Sequence, residues 1–129
     1  MERIGIIGDV HAEHQRLETA LDLFEKKKVD LLLCTGDLAD GRGDLDACCS
    51  MLTDAGALVV AGNHDRWFLE EKVRHVANAH HRQHASPSTV HFMESLPCTR
   101  SVDTGLGKLI LCHGVLDDDL AKIWPGSEN

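Results

Sequence analysis

Four short runs of the chain are almost entirely apolar: Arg3–Ile7, Leu31–Cys34, Ala57–Val60 and Lys108–Cys112. Apolar character without alternation predicts strands covered on both faces. Each run is followed within two residues by Gly, or by His-Gly at the last. The stretches between them carry a helical period. His14–Lys27 places Leu17, Leu21 and Phe24 on one face, with Lys at the C-terminal end where the helix dipole favours a cation. Leu45–Ala55 repeats the pattern with Leu45, Cys48, Cys49 and Leu52, and Gly56 stands where a C-cap is needed. Trp67–Ala79 is read as a third helix through Phe68, Leu69, Val73 and Val76, and Val90–Leu96 as a short fourth stopped by Pro97. Thr99–Asp103 and Lys108–Cys112 flank Gly105-Leu106-Gly107 as a hairpin would. Strand and helix alternating three times, then a hairpin, predicts an α/β domain with a largely parallel sheet. Function in such sheets gathers beyond the carboxyl ends of the strands.

Composition narrows this picture. The 129 residues fit a single domain spanning 1–129, and 43% hydrophobic content suffices for a core. A net charge of -8 disfavours bulk nucleic-acid binding and suits a protein that holds divalent cations. Five cysteines, with no C-x-x-C spacing, read as reduced thiols and hence as a cytoplasmic chain. The first seven residues are too short and too soon broken by Gly for a signal peptide. No apolar run reaches membrane-spanning length, so no membrane partner is expected.

The unusual residues sit at the predicted strand ends. Gly8-Asp9-Val10-His11, Gly36-Asp37-Leu38-Ala39-Asp40, Gly62-Asn63-His64-Asp65 and His113-Gly114 each deliver a carboxylate, amide or imidazole beside a Gly. Alone, a Gly-Asp is often only a turn; Gly-Asn-His-Asp is far rarer. Asp9 and Asp37 brought together would repel, and a divalent cation removes that conflict. Oxygen and imidazole ligands suit Mn, Fe, Zn or Co, and the absence of Cys argues against a structural zinc site.

In order, these motifs resemble the calcineurin-like metallophosphoesterases over about Arg3 to Asp119. The resemblance implies an αββα sandwich and a hydrolase that attacks phosphate esters with water activated by two metals. It implies that Asp9 and His11 bind the first metal, that Asp37 bridges both, and that Asn63 and His113 bind the second. His64 would be the general acid at the leaving oxygen, oriented by Asp65. The substrate would be a small phosphate mono- or diester.

The family pattern closes with Gly-His-x-His, which this chain lacks, so five of the seven expected protein ligands are present. The sandwich is therefore expected to be incomplete at its C-terminal end. Three readings stand open: a fragment, a chain whose site a partner completes, or a short form with weakened metal binding. A homo-oligomer through the unfinished sheet edge is expected, because such edges self-associate. The alternative function is a catalytically impaired metal-binding or scaffold protein on the same fold. Among other features, His80 and His84 have a chelating spacing if helical, but the His-rich stretch from His75 to His91 reads as solvated surface, broken by Ser86-Pro87-Ser88. Asp117-Asp118-Asp119 reads as the cap of a short helix through Ile123, and Arg66 as a candidate phosphate contact or a surface residue.

Overall fold

The structure, a computed structural model, describes residues 3–126. Its elements in chain order are β1 (Ile4–Ile7), α1 (His14–Lys26), β2 (Leu31–Cys34), α2 (Leu45–Asp54), β3 (Leu58–Val59), α3 (Asn63–Glu70), a 3-10 turn at Arg82–His84, α4 (Pro87–Glu94), β4 (Thr99–Thr104) and β5 (Gly107–Cys112). β1, β2 and β3 form a parallel sheet in that order, with Ile4 opposite Leu31 and Leu33 opposite Leu58. β4 and β5 pair antiparallel as a separate two-stranded sheet, with Thr99 opposite Cys112.

The two faces of the parallel sheet are covered differently. On one, Cys34 and Val59 meet Leu17 of α1, Leu45, Cys48, Cys49 and Leu52 of α2, Phe68 of α3 and Met93 of α4 in one core. All four helices contribute there. On the other face Leu33 and Val60 pack on Leu111 of β5, with Ile4, Leu31, Leu58 and Leu109 around them. The described residues thus supply three layers of the expected sandwich: helices, parallel sheet, hairpin. The hairpin leaves Ile6 of β1 59% exposed.

Local chemistry explains most boundaries. Asp44 caps α2 by accepting the Ala47 N–H at 3.0 Å, and Gly56 takes a left-handed φ of 69° past its end. Ser86 caps α4 with Pro87 at the first helical position. Ser86-Pro87-Ser88 therefore starts a helix instead of breaking one. Three further expectations are corrected. The run 108–112 is not buried on both faces: β5 is half exposed because its outer side has no covering layer among the described residues. The third helix begins four residues earlier than periodicity suggests and stops at Glu70, where Glu71 turns left-handed at φ 56° and the Lys72 N–H closes on Trp67 O. No helix spans residues 117–123; turns take its place, with Asp118 accepting the Leu120 and Ala121 N–H groups.

The five cysteines are free. Burial pushes the thiols of Cys34 and Cys48 up to about 12, so they serve as core residues. Among the described residues, no helix is long and apolar enough to cross a membrane.

Leu33 is fully buried between the two sheets. Leu33→Ala is expected to cost about 2–5 kcal/mol in urea unfolding. A loss no larger than that of a surface substitution would mean that the hairpin does not pack on the parallel sheet.

Candidate active site

The parallel strands end at one edge, and the chain leaves them through strained backbone. Asp9, His11 and Ala12 after β1, and Asp37 and Asp40 after β2, all have φ between 43° and 71°. Non-Gly residues rarely adopt this left-handed region, and Asp and His tolerate it better than most. Such strain persists only where the surroundings over-determine it, as they do here. The His11 and Ala12 N–H groups bond Asp37 O and Leu38 O, both at 2.8 Å, so the two exits are laced together. Gly62, ahead of α3, lies so close to Asp37 that a Cβ there would collide with the Asp37 carboxylate and N–H.

Asp37 is the centre of this edge. Its carboxylate is 7% exposed, and its Oδ1 accepts the His64 N–H of the first turn of α3 at 3.0 Å. Its Oδ2 lies 3.6 Å from His11 Nε2 and 3.4 Å from His113 Nε2. Burial raises its pKa, although the His64 N–H and the surrounding imidazoles oppose the rise. Two groups of side chains with metal-ligating atoms within 4.8 Å share it: His11, Asp37 and His64, and Asp9, Asp37 and His113. Asp9 falls with His113 in this grouping, and His64 joins His11. Asn63 Oδ1 stands 3.1 Å from His113 Nε2 and so borders the second group.

The ring orientations fit a cation site. His11 Nδ1 faces two carbonyl oxygens, Ala39 O at 3.0 Å and Asp40 O at 2.9 Å. His113 Nδ1 faces Thr35 O at 2.8 Å. Carbonyls only accept, so in the neutral rings both Nδ1 atoms carry the proton. Both Nε2 lone pairs are then turned toward the Asp37 carboxylate. Lone pairs facing a carboxylate repel unless a cation lies among them, and imidazoles held by a backbone carbonyl at the far nitrogen are typical metal ligands. Asp9, His11, Asp37, Asn63 and His113 thus converge as a donor set suited to divalent metals.

Asp65 makes no carboxylate hydrogen bond to the His64 ring. It is fully buried, and its carboxylate accepts four backbone N–H groups: Asp37 at 2.9 Å, Leu38 at 2.8 Å, Ala39 at 3.0 Å and Gly62 at 2.8 Å. Burial pushes it up to about 6, against three of those bonds. The expected orienting contact comes from Asp40 instead. His64 Nδ1 donates to Asp40 Oδ2 at 2.8 Å, and the ring also lies 4.9 Å from those of His11 and Trp67. Burial alone would raise the Asp40 pKa; Arg74, His64 and the His80 N–H together hold it below the ordinary carboxylate value.

Arg66 is occupied. Its guanidinium makes a bidentate pair with Asp119, at 2.7 and 2.9 Å, so the surface reading fits better than a phosphate contact. His80, which the sequence places on a solvated surface, has a side chain only 22% exposed. Its Nδ1 accepts the Asp40 N–H at 2.8 Å, so it adjoins the site although nothing in the local sequence directs it there. It lies outside any helix, which removes the His80/His84 chelating pair. Arg74 and Trp67 also escaped notice. Asp40 had a signal, since it stands three residues past Asp37 in the same strand-end motif.

Two outcomes follow from these contacts. Asp65→Asn replaces one accepting oxygen by an NH2 group facing N–H donors and is expected to cost about 3 kcal/mol in urea unfolding; a loss under about half a kcal/mol would deny Asp65 this anchoring role. Asp40→Asn is expected to lose most stability at neutral pH. The folded-state pKa of Asp40 is depressed, so its contribution is present above roughly pH 4 and disappears as pH falls through the folded value. The gap between parent and variant should therefore close on acidification, and a gap independent of pH would contradict the network.

Comparison with known proteins agrees with this geometry. A solved metallophosphoesterase from Sphaerobacter thermophilus superposes with a TM-score of 0.60 at 28% identity, covering 77% of this chain and 43% of that one. A solved structure described as a candidate diadenosine tetraphosphatase gives 0.63 at 30% identity, covering 76% and 44%. An uncharacterized protein of Methanocaldococcus jannaschii is 27% identical over 62 residues, 48% of this chain and 26% of its own length. The chain thus spans less than half the length of these relatives. The model of the calcineurin-like phosphoesterase family matches residues 2–126, and with that match the chain belongs to the calcineurin-like phosphoesterase family.

Proposed function

We propose that this chain is a metal-dependent phosphoesterase that hydrolyses a phosphate mono- or diester with water activated at a site for two divalent ions, such as Mn, Fe, Zn or Co. The supporting observation is the meeting of two ligand groups on one buried carboxylate, Asp37. A shared carboxylate between two clusters is what a bridged pair of cations requires. Asp37 would serve both ions, with Asp9, His11, Asn63 and His113 around it; the family pattern sets Asp9 with His11 on one ion and Asn63 with His113 on the other, whereas in this structure Asp9 stands with His113. When bound, the ions would lower the pKa of a water and neutralise charge on the phosphoryl oxygens.

The chain's own residues would supply the proton. His64 Nδ1 is committed to Asp40, which leaves Nε2 for substrate. Asp40, 1% exposed, holds the ring by Nδ1, so the proton given to the leaving oxygen would pass from Nε2. Asp65 acts one step back, through the backbone, by holding Asp37 against the first turn of α3. Among esters to test, the likeness to a candidate diadenosine tetraphosphatase adds dinucleoside polyphosphates.

The test is Mn-dependent hydrolysis of paired aryl phosphomonoester and phosphodiester substrates by the parent, His64→Ala and Asp37→Ala. The parent is expected to need metal for turnover. His64→Ala should lose roughly 100-fold or more while still binding metal. Asp37→Ala should lose both metal and turnover. A folded, metal-loaded parent that cleaves none of these esters would overturn the enzyme reading in favour of a metal-binding or scaffold protein.

A further inference from the structure

Residues 71–81 form no helix or strand, yet they are tied to the site. The tie runs through Arg74, whose side chain is only 12% exposed. Its Nη1 donates to Asp40 Oδ1 at 2.7 Å and its Nη2 to Asp40 Oδ2 at 2.9 Å, a bidentate fork on a carboxylate that is itself 1% exposed. The remaining contacts brace the fork: Nη1 also reaches His80 O at 2.8 Å, and Nε reaches Lys72 O at 2.8 Å. The same segment grips Asp40 twice more. The His80 N–H donates to Asp40 Oδ1 at 2.9 Å, and the Asp40 N–H donates to His80 Nδ1 at 2.8 Å. The Gly41 N–H adds a bond to Asn78 O at 3.1 Å.

These contacts fill the Asp40 carboxylate. Oδ1 accepts from Arg74 and His80, and Oδ2 accepts from Arg74 and His64. A carboxylate has about four lone-pair sites, so none is left over. The fork also fixes the plane of the carboxylate, because a guanidinium presents its N–H pairs in a rigid geometry that an ammonium lacks. The direction in which Oδ2 meets the His64 ring is then set by Arg74.

We infer that Arg74 is a positioning residue for His64, acting through Asp40. Its guanidinium holds the carboxylate in the one orientation that keeps the Nδ1–H of His64 on Asp40, so that a second proton, carried on Nε2, is the one given to the leaving oxygen of a phosphate ester. The inference rests on the reading of His64 as proton donor for its catalytic consequence. The orientation of the ring is independent of that reading.

The experiment has two arms. In the first, 15N-labelled parent, Arg74→Lys and Arg74→Gln are compared by proton NMR for the hydrogen-bonded His64 Nδ1–H, assigned by its loss in His64→Gln. The parent should show a sharp, downfield, slowly exchanging signal. Arg74→Lys, which keeps the charge and the fold, should show it weakened, and Arg74→Gln should lose it while the amide spectrum stays dispersed. An unchanged signal in either Arg74 variant overturns the inference. In the second arm, metal-loaded parent and variants hydrolyse an alkyl phosphate, whose leaving group needs a proton, and a nitrophenyl phosphate, whose leaving group does not. Arg74→Gln should lose roughly 10- to 100-fold more on the alkyl ester. Equal losses on both esters overturn the catalytic consequence. A parent that cleaves neither ester removes the reading of His64 as acid, and the NMR arm then still decides the role of Arg74.

Discussion

One buried carboxylate holds the functional edge together. Asp65 sits in the first turn of α3, fully buried, and accepts N–H groups from three consecutive residues of the β2 exit and from Gly62. Backbone N–H groups in a buried turn must find acceptors, since an orphaned one costs as much as a lost hydrogen bond. Here a single side chain serves four. It also places negative charge at the positive end of α3. Every other feature of the site depends on this joint, because it sets the distance between Asp37 on one segment and Asn63 and His64 on the other.

The site can be understood as successive carboxylates, each with its own partners. Asp65 holds backbone. Asp37 takes one N–H from α3 and otherwise faces imidazole lone pairs, an arrangement that calls for cations. Asp40 is filled by donors from Arg74, His80 and His64 and stays ionised. Three buried acids within a few residues of one another would repel strongly if left alone. Separate partners resolve the conflict, although Asp37 and Asp40 both hold left-handed backbone. Strain of this kind costs order 1–3 kcal/mol per residue and is retained where the surroundings over-determine it.

Much of this was legible in the chain itself. The four strand-end motifs are local objects: an apolar run, a Gly for the turn, then a polar residue. The meeting of the first three at one edge follows from parallel strands pointing the same way, and the fourth arrives from the hairpin packed on that sheet. The αβ alternation likewise follows from periodicity. α3 shows where this kind of reading stops. The apolar spacing of Phe68, Leu69, Val73 and Val76 suits a helix to 79, but the chain turns at Glu71. Past that point Arg74 and His80 are drawn to Asp40, more than thirty residues earlier in sequence, and a continuous helix would not bring both to it. Tertiary hydrogen bonds to a buried charge outweigh helix propensity, which is a few tenths of a kcal/mol per residue.

The sequence by itself determined the class of fold and the order of the strand ends, and it singled out Asp9, His11, Asp37, Asn63 and His113, which the structure brings to one edge. These are written in short windows, where backbone period and turn chemistry suffice. Only the tertiary structure decided which carboxylate serves which partner. Asp65 directly follows His64 whereas Asp40 lies in another motif, so nothing local points to Asp40 as the partner of the ring. Packing does: one side chain points into the protein toward unpaired N–H groups, the other toward the His64 ring and the Arg74 guanidinium. Hydrogen-bond partners depend on direction as well as proximity, and direction is fixed only when the segments are docked against one another.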